Sequence, residues 1–114
     1  MNDDKTYNGW SNYETWLANI WIDNEHETQA YWHEMTMEIW KRSEADSICS
    51  RMQRAGIALA DNLKENFEEE LEEFREVKGF WKDMLNAALS SVNWHEIAKA
   101  WLEECELQGE LKDA

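Results

Sequence analysis

Apolar side chains recur at steps of three and four through most of the chain, the spacing of one buried stripe on an α-helix. Gly9 predicts a turn, and the capping-box spacing of Ser11 and Glu14 predicts that a helix starts there. Its predicted core stripe is Tyr13, Trp16, Leu17, Ile20 and Trp21. It should stop near Asp23-Asn24, whose short polar side chains compete for backbone hydrogen bonds. Thr28 is the predicted cap of a second helix, with Tyr31, Trp32, Met35, Ile39 and Trp40 turned to the core. Lys41-Arg42 fall in its last turn, where cations complement the helix dipole.

A polar joint runs from Ser43 to Ser47, with Asp46 or Ser47 as the next predicted cap. The third helix is the longest. Its stripe is Ile48, Met52, Ala55, Leu59, Leu63, Phe67, Leu71 and Phe74, with Gly56 expected to bend it and Gly79 to stop it. Phe80, Trp81, Met84, Leu85, Ala88 and Leu89 predict a fourth helix. Asn93 and Glu96 form a capping-box-like pair, with Val92 and Ile97 at the staple positions. The last helix carries Ile97, Ala98, Trp101, Leu102 and Cys105, and Gly109 closes it.

No alternating strand pattern and no internal repeat interrupts this series. The expected fold is all-α: a compact single domain of about five helices with one long acidic central helix. Residues 1–8 are expected to be a disordered tail, 9–110 the domain, and 111–114 a frayed end. The absence of proline agrees with helix, and eight tryptophans give a chain of this size a substantial core.

Charge narrows the choice of partner. The net charge of −14 repels nucleic acid and anionic membrane, so direct binding to either is not expected and basic protein surfaces are favoured. No basic-then-apolar leader and no apolar run near about 18 residues is present, which predicts a cytoplasmic protein. Cys49 and Cys105 form no CxxC and sit at apolar positions of helical patterns, so they read as reduced core thiols.

Catalytic signatures are few. There is no glycine-rich phosphate loop and no GxSxG, so neither an enzyme nor a cofactor is expected. A Cys–His pair stays open, because such partners need not be neighbours in sequence. His26 and His33 are seven apart, with Asp23 and Glu34 near, but HxxxH is absent and neither cysteine is close in sequence. No metal site is expected from that spacing. His95, beside Trp94 at a helix start, is expected to be exposed.

The segment from Asp61 to Lys78 has more functional leverage. Steps of three and four link Glu65, Glu68, Glu69, Glu72, Glu73 and Glu76 along one helical face. Like charges at that spacing oppose the helix by about a few tenths of a kcal/mol per pair. A stiff row of carboxylates can imitate a phosphate backbone and occupy a basic nucleic-acid channel. The plainer reading is a solvated helix face.

Tyr7 to Trp21 concentrates three tryptophans and two tyrosines in fifteen positions. Within it Trp10, Asn12, Tyr13, Glu14, Trp16 and Trp21 are assigned to fold stability, together with Trp94 near the other end. The run Gly9-Trp10-Ser11-Asn12-Tyr13-Glu14-Thr15-Trp16 resembles the opening of a family of small proteins encoded by phages, plasmids and their microbial hosts. Val92-Asn93-Trp94-His95-Glu96-Ile97-Ala98 is similar to the helix that often ends them. The resemblance implies a mobile-element setting and carries over no catalytic residue. With the acidic face, it leads to the expectation of a non-enzymatic inhibitor that occupies a basic surface of a host defence nuclease complex, of anti-restriction or anti-CRISPR type. The alternative is a structural or regulatory module that binds through an aromatic patch and forms a homodimer.

Overall fold

Asn8 and Gly9 both take positive φ, at 51° and 92°, and close a two-residue turn in which Tyr7 and Trp10 exchange backbone hydrogen bonds. Asn-Gly is the pair that reaches this left-handed geometry most readily. Tyr7 and Asn8, expected in a disordered tail, therefore belong to the folded part. The computed structural model describes residues 7–73 and 79–111. The remainder of the expected tail, the end from 112 to 114, and Phe74 of the predicted third stripe lie outside the described residues.

Five helices follow among the described residues: α1 Tyr13–Asn24, α2 His26–Arg42, α3 Arg51–Glu72, α4 Gly79–Ser90 and α5 Trp94–Leu107. The only β pairing among the described residues is the Tyr7–Trp10 bridge. The fold is all-α, as the apolar spacing predicts. No helix among the described residues is long and apolar enough to cross a membrane.

The caps differ in detail from those predicted. Asn12, not Ser11, caps α1 by accepting from the Thr15 N–H at 2.8 Å. Glu25 precedes α2 without a side-chain cap bond, so the helix begins two residues before Thr28. Ser50 caps α3 in a full capping box with Gln53. Asp46 instead folds the preceding joint, accepting from the N–H groups of Ile48 and Cys49. Asn93 caps α5 as predicted, accepting from Glu96 N–H at 3.0 Å. Gly79 is the first residue of α4 rather than the stop of α3.

α3 and α5 form the central pair, with α1 and α2 packed around them. Ile22, Trp32, Ile39, Leu59, Leu63, Ile97 and Leu102 fill the core. Each such side chain contributes about 1.5–3 kcal/mol when fully buried. Phe67 of α3 stacks on Trp94 of α5, with ring centroids 5.4 Å apart. Gly56 does not interrupt α3. It is buried where α5 crosses, and a Cβ there would lie 3.3 Å from the His95 ring and 3.9 Å from Leu102. Its small size lets the two helices approach closely.

Several predicted core positions face outward. On α1 the inward residues are Thr15, Ala18 and Ile22, while Tyr13 and Trp21 are exposed. Apolar residues surround almost the whole of α1, so periodicity alone does not select the buried face. Tyr31 on α2 is exposed, and Ile48 lies in the joint before α3, 84% exposed. The largest departure is α4, none of whose residues is buried.

Candidate partner-binding surface

Glu65, Glu68 and Glu72 stand on the side of α3 opposite its buried residues Gly56, Leu59, Ala60 and Leu63, with Glu69 and Glu73 toward its flank. Glu65, Glu68, Glu69, Glu72 and Glu73 are all exposed, and no ion pair among the described residues engages them. Glu73 is the C-cap of the helix, and Glu72 is its last residue. Carboxylates at a helix C-terminus oppose the dipole there, so this array is unfavourable for α3 itself. Glu76, the sixth predicted member, lies outside the described residues.

α4 buries none of its residues, although its sequence predicts a core face. Phe80 is 65% exposed and Trp81 62%, with Met84 and Leu85 also exposed. Only Leu89, near its end, packs against the core. Its one substantial packing partner among the described helices is α3. An uncovered stripe of Phe, Trp, Met and Leu is the composition of an interface centre rather than of a solvated face.

The motif residues serve the fold, but through polar bonds more than through burial. The Asn12 side-chain amide donates to the Ser91 carbonyl at 2.8 Å, and the Asn93 N–H donates to the Thr15 hydroxyl at 2.8 Å. The Ser11 hydroxyl donates to Glu96 at 2.6 Å. The opening and closing motifs thus knit the N-termini of α1 and α5 together. Glu96 reaches to Ser11 and so does not complete a capping box with Asn93. Trp10 and Trp94 pack on or in the core, Trp16 is half-buried against Tyr13, and Glu14 lies in the first turn of α1. Trp21 takes no part in the core.

One cluster has no signature in the sequence. His33 of α2, Cys105 of α5 and Glu110 place their donor atoms within 4.8 Å of one another. His33 Nε2 lies 2.9 Å from Glu110 Oε1. That hydrogen bond holds the Glu110 carboxyl below its ordinary range. Burial, then the hydrogen bond to Glu110, pushes the Cys105 thiol up to about 11. The spacing of 33, 105 and 110 is not a local ligand pattern, and the fold supplies here a Cys–His pair of the kind that the sequence left open. Gly109 brings the three together. With φ of 73° it ends α5 in a Schellman turn, where Glu110 N–H bonds the Cys105 carbonyl and Gly109 N–H bonds that of Glu106. Beside the cluster lies a cleft of about 510 Å³ between α1, α2 and α5, walled in part by Asn19, Asp23, Glu104 and Trp101.

Neither the curated proteins nor the solved structures include a match to the chain. A family model matches residues 3–112, and the chain belongs to that family, the family of unknown function DUF7249.

Proposed function

We propose that this protein is a non-enzymatic binding protein that docks on a basic protein surface. The exposed carboxylates of α3, which no ion pair among the described residues engages, carry this reading. In the complex, Glu65, Glu68, Glu69, Glu72 and Glu73 steer and orient the encounter, and Phe80 and Trp81 of α4 fill an apolar pocket beside it. Charge then supplies rate and register, and the aromatic anchors supply most of the affinity. A surface that normally holds a nucleic-acid backbone fits this spacing of negative charge. With the mobile-element setting implied by the opening motif, the target class is the nucleic-acid groove of a host defence complex, and blocking that groove is the activity.

Capture from host lysate tests the proposal, with the triple variant Glu65→Lys, Glu69→Lys, Glu72→Lys beside the wild type. The wild type should retain a nucleic-acid-binding protein at low salt and release it at high salt. The variant, folded by circular dichroism, should retain none. Equal capture by both contradicts the proposal.

The uncovered apolar stripe of α4 also favours a second reading, a two-fold dimer in which α4 packs on its own copy. Sedimentation separates the two: a dimer that Trp81→Glu converts to monomer supports self-association, and a wild-type monomer removes it.

A further inference from the structure

We propose that His33, Cys105 and Glu110 form a binding site for one divalent transition-metal ion of the zinc class. The three donors come from α2, α5 and the turn after α5, so only the folded chain assembles them. Their chemistry is selective. A thiolate with an imidazole and one carboxylate suits zinc or cobalt, whereas calcium and magnesium take oxygen donors. Their geometry is close to what such an ion needs. In a tetrahedral zinc site the N and O donors stand about 3.3 Å apart, and sulfur stands about 3.5 Å from either. Here all three atoms already lie within 4.8 Å. Cys105 is fixed in the core, while the His33 and Glu110 side chains are 43% and 33% exposed and can adjust around it.

The neighbouring cleft gives the ion a route in and leaves its fourth position open to water. Three protein ligands leave one coordination position for water or a further ligand. Binding displaces the thiol proton, which is released to solvent, and the imidazole keeps its remaining proton on the nitrogen not bound to metal. Because binding displaces the thiol proton, affinity should fall as the pH is lowered.

Cobalt titration of the full-length, metal-stripped protein tests the site, because this acidic chain attracts divalent cations nonspecifically and only a thiolate ligand gives sulfur-to-cobalt charge-transfer absorption. The expected result is that band, saturating at one equivalent with the visible bands of tetrahedral cobalt and bleached by zinc. Cys105→Ala should abolish the band. His33→Ala and Glu110→Gln, at the two partly exposed ligands, should weaken binding at least about tenfold. Weak octahedral absorption without charge transfer, or a band unchanged by His33→Ala, overturns the proposal. The triple lysine variant of α3 should leave the titration unaltered, so this site and the docking surface stand or fall separately.

Discussion

Asn93 donates its backbone N–H to the hydroxyl of Thr15 at 2.8 Å, across 78 positions of sequence. Thr15 is fully buried, so the bond has no water to replace it. It joins the first turn of α1 to the cap of α5, and Asn12 to Ser91 runs beside it. Thr15→Val keeps the shape and removes the acceptor. The variant should lose about 1–3 kcal/mol, the cost of a buried N–H without a partner. Thr15→Ser should lose less. Urea denaturation checks this: the midpoint should fall with an unchanged slope.

Gly56 sits where α3 meets α5. Its nearest obstacle is the edge of an exposed His95 ring, which can swing aside. Gly56→Ala should therefore be neutral or gain up to about 1 kcal/mol from helix propensity. Gly56→Leu should destabilise by about 1–3 kcal/mol, because Leu102 leaves no room for a larger side chain. Thermal midpoints of the two variants should move in opposite directions, or only the second should move.

Helix number, the long acidic α3, the Asn93 cap and the Gly9 and Gly109 turns were legible from periodicity and turn chemistry. The face of α1 was not, because its apolar residues nearly encircle it, and Thr15 and Ala18 were hidden among larger ones. α4 shows the opposite limit. Its stripe has helical spacing, but spacing states only that a face is apolar, not that this chain covers it. Five of the six predicted glutamates, as far as Glu73, are exposed, and Glu76 lies outside the described residues. The cluster of His33, Cys105 and Glu110 was not, because it depends on how α2 and α5 cross and on the turn at Gly109.

The two thiols should differ in reactivity. Cys49 is half-buried, whereas Cys105 is 2% exposed and holds its proton up to about pH 11. The thiolate is the reactive form. Under native conditions at neutral pH without metal, a thiol reagent should label one cysteine, Cys49, and reach the second only after unfolding. Mass spectrometry of the labelled peptide decides which. Rapid labelling of Cys105 in the native state contradicts its burial.

Asp46 predicts an acid dependence. Hydrogen bonds from the Cys49 and Ile48 N–H groups, then Arg54, lower its pKa from 3.8 to about 2. Its folded value lies below the unfolded one, so its contribution is present above the unfolded value and is lost as the pH falls toward 2. Asp46→Asn should lower stability at neutral pH and flatten the decline over that acid window. Denaturant titrations at several pH values check the slope, and parallel profiles for variant and wild type would contradict the assignment.

The docking account makes location matter more than total charge. A second triple variant, Glu27→Lys, Glu34→Lys, Glu38→Lys, changes net charge equally on exposed positions of α2. Capture of the partner by this variant and by Glu65→Lys, Glu69→Lys, Glu72→Lys, side by side at low salt, isolates the contribution of α3. The account predicts that the α2 variant retains the partner and the α3 variant loses it. Equal retention by both variants, or equal loss from both, would contradict a specific docking face on α3.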